Sequence, residues 1–161
     1  MTYRILAVLA LSLGLACSPA WAGDAQVSYP KDYRAWHHVK SMVIHPGHPL
    51  YQSFGGIHHL YANSKALEGY RGGNFKDGAV IIFDLLEAVS ADNAITEGKR
   101  KVVGVMHRDR KRYAATGGWG FEGFAGDSKS ERAVAGNAVK ACYECHTSQK
   151  DKQFVFSSLR K

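Results

Sequence analysis

The chain opens on an apolar run from Ile5 to Ala16, after which short apolar stretches alternate with clusters of turn residues. This spacing predicts short elements joined by tight connections. Pro30 to Trp36 reads as a helical turn with proline near its start, leading into the apolar stretch Val39 to Ile44. His45-Pro46-Gly47-His48-Pro49 breaks that stretch. Phe54 to Tyr61 is a strand candidate, and Asn63 is placed to cap a short helix through about Tyr70. Arg71 to Asn74 and Lys76 to Gly78 are turn chemistry around Phe75. From Ala79 to Val89 the chain is almost continuously apolar. Ala79, Ile81, Phe83 and Leu85 face one way and Val80, Ile82 and Leu86 the other, which predicts a strand buried on both faces, at a sheet centre or a subunit interface. Arg100 to Met106 and the glycine- and aromatic-rich Gly118 to Phe124 are further strands, with a short helix expected over Asp109 to Ala115. Helix formers dominate Glu131 to Ser148, which predicts the longest helix, and Phe154 to Phe156 suits a last short strand. The sum is an α+β fold, a mainly antiparallel β-sheet with short helices and a C-terminal helix.

A length of 161 residues with 45% hydrophobic side chains suits one compact domain. The charged start at Arg4, the apolar run of Ile5 to Ala16 and the small-x-small site Ala20-Trp21-Ala22 have the three regions of a secretory signal, which predicts a signal peptide over residues 1–22 and a single domain over 23–161. The run is shorter than the roughly 20 residues of a spanning helix, so no membrane span is expected and the periplasm is the expected location. An uncleaved anchor and lipid attachment at Cys17 are the alternatives, the second weakened because Gly14 stands where an apolar residue usually precedes a lipidated cysteine. Cleavage after Ala22 removes Arg4 and Cys17 and leaves 20 basic against 14 acidic side chains, a net +6, with two cysteines. Export argues against a nucleic-acid partner, and the basic residues are spread along the chain, as on a solvated surface that could dock an acidic redox partner protein.

Cys142-Tyr143-Glu144-Cys145-His146 carries the chemistry. It is the C-x-x-C-H pattern of covalent haem attachment: two thiols about one helical turn apart match the two vinyl groups of one haem, and the adjacent imidazole is then held beneath the iron. A disulfide, a thioredoxin-like redox pair and a zinc site are the rivals; the redox pair wants a βαβ context and zinc a fourth ligand. Only haem uses all three residues at once. His146 is therefore the expected metal ligand, with Cys142 and Cys145 binding a single haem c. The sixth iron position decides the function, since a strong ligand there makes an electron carrier and an open position admits small molecules. Met42, Met106, His37, His38, His45, His48, His58, His59 and His107 are the formal candidates, each more commonly a core or solvated residue.

Taken together, Pro30-Lys31-x-Tyr33-Arg34-x-Trp36, Phe75-Lys76-Asp77-Gly78, Lys111-Arg112-Tyr113, Gly118-x-x-Gly-Phe and Cys142 to His146 resemble the cytochrome P-460 family, and within it the cytochrome c'-beta branch. The resemblance spans Pro30 to Phe156. It implies a predominantly antiparallel β fold, a homodimer, and a haem carried by the C-terminal helix. In the hydroxylamine-oxidising members a lysine of the central strand is cross-linked to the porphyrin; here Phe83 stands at that position, which is similar to the c'-beta branch and its phenylalanine-capped distal pocket, with Phe54 as the second matching position. Phenylalanine offers neither a donor nor a lone pair, so such a wall leaves the iron five-coordinate and favours the neutral gases NO and CO. The expected function is gas binding, with NO capture or transfer foremost. A hydroxylamine- or NO-oxidising enzyme and a plain electron carrier are the alternatives.

Overall fold

A computed structural model describes residues 26–160. The signal region lies outside the described residues. Five strands form one sheet in the order β1-β2-β3-β4-β5, every neighbouring pair antiparallel. β1 is His37–Ile44, β2 Gly56–Ala62, β3 Val80–Ala91, β4 Ala94–Arg108 and β5 Trp119–Ala125. Two short helices interrupt the early strands: α1, Tyr51–Phe54, and α2, Ser64–Gly72. α2 starts where the sequence places it, because the Asn63 side chain accepts a hydrogen bond from Ala66 N at 2.9 Å. The same side chain accepts from Val80 N at 3.0 Å and donates to Gly78 O at 2.9 Å, so one cap also ties the helix to the start of β3. α2 ends at Gly73, whose φ of 69° lies in the left-handed region that glycine adopts freely.

The central strand has two buried faces, as its apolar pattern predicts, but only as far as Leu86. On one face Ile81 joins Val39, Ala62, Phe75, Trp119, Phe121 and Val155 in a cluster against which Cys142 and Tyr143 pack. On the other, Ile82 joins Val27, Tyr33, Val103, Val105, Tyr113 and Phe124. Asp84 is the one charge buried within β3, and it is accommodated by Tyr33 Oη donating at 2.7 Å and Arg100 Nε donating at 2.6 Å. Beyond Leu86, β3 and the first half of β4 run on as an exposed two-stranded ribbon, closed by Asp92 and Asn93 at φ 51° and 59°. Two consecutive positive φ values are the mark of a two-residue hairpin turn matched to strand twist.

The structure corrects four local expectations. Asp109 to Ala115 holds a turn that runs into a 3-10 turn at Ala114–Thr116 and not a helix: Asp109 Oδ1 caps the turn by accepting from the backbone N–H groups of Lys111 and Arg112, at 3.1 and 2.9 Å, but Gly117 and Gly118 take positive φ and end it there. The long helix from Glu131 is confined to residues 139–152. Arg132 bridges to Phe124 of β5 and its Nη1 donates to Glu122 at 2.6 Å, while Ala135 and Gly136 take positive φ, so the stretch with helix-forming composition first runs beside the sheet. Only then does the chain coil, as a π-helical turn Val139–Tyr143, then α3, Glu144–His146, then a 3-10 stretch Thr147–Lys152. Phe154 to Phe156 forms no strand, because Gln153 and Phe154 turn the chain at φ 53° and 66°. Phe54, expected to open a strand, instead ends α1. The fold class stands: an antiparallel sheet with a few short helices, one of them C-terminal. Among the described residues no helix is long and apolar enough to cross a membrane.

Candidate haem site

The C-terminal helical segment sets three side chains close together. Cys142 belongs to the π-helical turn, a wide geometry that recurs at functional sites, and Cys145 and His146 belong to α3. Both thiols are free. Cys142 is half-buried, and burial first, then the nearby Glu122 and Cys145, push its thiol up to about 11. It therefore rests as a thiol and not a thiolate near pH 7. His146 is oriented by a backbone carbonyl: its Nδ1 lies 2.7 Å from Phe154 O. A carbonyl only accepts, so Nδ1 carries the proton and Nε2 keeps its lone pair for a metal. Phe121 and Phe156 flank the ring, each at a centroid distance of 5.0 Å. Burial holds the imidazole pKa below its ordinary range, opposed in part by the carbonyl bond, so the ligating neutral form is the resting one.

The sheet face beneath this segment has an unusual strip. Leu60, Phe83, Gly104 and Gly123 lie in one row across β2, β3, β4 and β5. Two of the four have no side chain. A Cβ at Gly104 would stand 3.3 Å from Phe83 Cβ, and one at Gly123 would stand 3.2 Å from Val102 Cγ2, so neither position has spare room against its neighbours. The next row, Ala62, Ile81, Met106 and Phe121, leads to His146 through Phe121. Phe83 thus lies in the bare row and Phe121 in the next one, two strands and one row away, roughly 12 Å.

Phe83 meets Phe54 edge to face, at 5.8 Å between centroids and 87° between planes. The two positions paired by the resemblance are in contact even though Phe54 sits on α1, 37% exposed. Cys142, Cys145 and His146 form the second group, on the same side of the sheet. The sequence reading missed what joins the phenylalanines. His58 is 2% exposed, its ring lies 4.5 Å from that of Phe83, and its Nε2 is 2.5 Å from Phe54 O. Strand alternation, which places His58 on the face of Leu60 and Leu85, was the available signal.

Of the other formal iron ligands, Met42 is 53% exposed on the edge strand and Met106 packs against the first core cluster. His38 and His59 both bond Ser41, at 2.9 and 2.7 Å, and His59 also reaches Glu97 at 2.6 Å. His107 packs against Tyr113, while His37, His45 and His48 are exposed. Among the described residues no three His, Cys, Asp or Glu side chains converge as a metal cluster, so the zinc reading finds no support. The donor set fits haem: two free thiols three residues apart, an adjacent imidazole with its outer nitrogen available, and a glycine strip walled by aromatic rings.

An α+β chain with a Cys-x-x-Cys-His turn packed over an apolar sheet face is a haem cytochrome. The sequence pattern of the cytochrome P460 family matches residues 30–157, and the chain belongs to that family. Haem is its cofactor. Among proteins with curated functions, none matches the chain.

Proposed function

We propose that the protein is an exported cytochrome with a single haem c, attached through Cys142 and Cys145 and ligated by His146 Nε2, that captures small uncharged gases at a sixth position walled by Phe54 and Phe83. The observation that carries this reading is the edge-to-face contact of Phe54 and Phe83 on the sheet side shared with the Cys142 segment. Haem iron held by one imidazole binds NO and CO without a distal donor, whereas bound dioxygen gains from one. The chain contributes the orientation of His146 by Phe154 O and a wall that offers charged molecules no hydrogen bond. The inward positions Ile81, Phe83 and Leu85 of β3 carry no amine that could bond to a porphyrin, which favours gas binding over the alternative of hydroxylamine oxidation.

Export to the periplasm, with cleavage after Ala22, is part of the same reading, since covalent haem attachment suits an exported chain. A homodimer is also proposed. Val89 and Ile95 are 44% and 45% exposed on the β3–β4 ribbon, and a two-stranded ribbon is marginal unless something covers it. Absorption spectra of the purified ferric and ferrous protein, with and without NO, test the central point. A high-spin five-coordinate ferrous haem that takes up NO and CO is expected; a low-spin spectrum with two strong axial ligands would end the proposal.

A further inference from the structure

The connection between α1 and β2 is held down at two consecutive carbonyls, one by a side chain of β2 itself and one by a side chain of β4. His58 Nε2 bonds Phe54 O at 2.5 Å, and Lys101 Nζ donates to Gly55 O at 2.8 Å. The carbonyl of Phe54 can only accept, so Nε2 carries the imidazole proton and Nδ1 is a bare acceptor; that atom is buried and without a hydrogen-bond partner. An unpaired buried acceptor is costly, and an apolar residue at position 58 would avoid that cost. Histidine supplies two things that leucine cannot: the donor to Phe54, and a ring edge set against Phe83 at 4.5 Å.

Lys101 reaches Gly55 through a defect in the sheet. Leu85 pairs with Val102 and Leu86 with Arg100, which leaves Lys101 unopposed in a β-bulge. Bulges re-aim a side chain, and here the bulge sends the ammonium to the α1–β2 connection. The next residue along the connection fixes its other end: Gly56 has φ 131°, and a Cβ there would fall 2.1 Å from Leu86 O, so the backbone is seated directly on β3. By contrast, the chain before Phe54 is exposed from His45 to Leu50.

We propose that His58 and Lys101 are positioning residues that latch the α1–β2 connection, holding Phe54 against Phe83 and setting how readily a small uncharged gas reaches the iron. The latch rests on the reading of Phe54 and Phe83 as the wall of the gas site. It makes the wall a movable piece whose closed position depends on two donors outside the wall itself.

The test is the rate of CO association with the ferrous haem-loaded protein, by stopped flow, in five forms: the unaltered chain, Phe54→Ala, His58→Leu, His58→Gln and Lys101→Met. His58→Leu and Lys101→Met should each raise the rate about fivefold, the shift in closed population that loss of one net hydrogen bond allows. His58→Gln keeps a side-chain N–H that can reach Phe54 O and should restore the slow rate. If Phe54→Ala speeds association while both latch variants leave it unchanged, the latch is wrong and the wall survives. If His58→Gln is as fast as His58→Leu, the donor is not what matters and the latch again fails. If Phe54→Ala itself has no effect, the wall reading fails and takes the latch with it. Lys101 is exposed, so Lys101→Met keeps the test decisive if His58→Leu does not fold.

Discussion

At the scale of single residues, two glycines carry consequences that their composition hides. Gly56→Ala places a methyl group 2.1 Å from the backbone oxygen of Leu86 at a φ of 131° that other residues rarely adopt. Strain of this kind costs about 1–3 kcal/mol before the clash is counted, so urea titration should place Gly56→Ala at least that far below the unaltered chain. Gly104→Val would fill the bare row and push against Phe83, whose Cβ is 3.3 Å from where the new Cβ would stand. The expected outcome is a fold that remains and a haem content that drops, measured as the ratio of haem absorbance to protein. On the proposed attachment, Cys142→Ala or Cys145→Ala leaves at most one thioether and the double variant none, so acidified acetone should strip the haem from the double variant, read by mass spectrometry as a polypeptide without the haem mass. Haem still covalently held in the double variant would remove the attachment from this turn.

Among the elements, how much was readable depended on whether each element's signal was local. β1, the start and cap of α2, β3 up to Leu86 and β5 arise from apolar runs and from one capping asparagine, and they stand close to where the pattern puts them. The β3–β4 ribbon was not legible past Val89, because Ala94 to Lys99 is too polar to read as a strand and is one only by pairing with β3. Residues 131–138 look helical by composition, yet the Arg132–Glu122 ion pair and the bridge to Phe124 hold them beside β5. Tertiary partners override weak propensity there. The Cys-x-x-Cys-His pattern is visible in the sequence because its spacing is local, whereas the packing of His58 is not, because it involves the Phe83 ring on another strand. The multiple bonds of Asn63 give a further expectation. Asn63→Ala removes a helix cap, one tie to β3 at Val80 and one to Gly78 just before it, so it should cost about 2 kcal/mol, the upper end for a lost cap, by chemical denaturation.

For the molecule as a whole, acid should be destabilising through its buried imidazoles. Burial holds His58 and His107 below the ordinary histidine range. In the unfolded chain these groups take up protons near a pKa of about 6.5, whereas the folded chain resists until lower pH. Their stabilising contribution is therefore complete above that value and is lost as pH falls through the interval down to the folded pKa values. Urea midpoints at pH 7.5, 6.5 and 5.5 should fall in that order, and His58→Gln should make the decline shallower. An equal slope in the variant would assign the acid sensitivity elsewhere.

The strand order also governs how the chain assembles. Since each strand pairs with the next one in sequence, the sheet can zip up from neighbouring segments with little loop-closure cost, a topology associated with rapid folding. The cysteine-bearing turn comes after all five strands and lands on a surface they have already made. Acquisition of the prosthetic group is thus separable from formation of the sheet, and a protein denied its haem should still refold the strands quickly while leaving residues 139–156 to settle late.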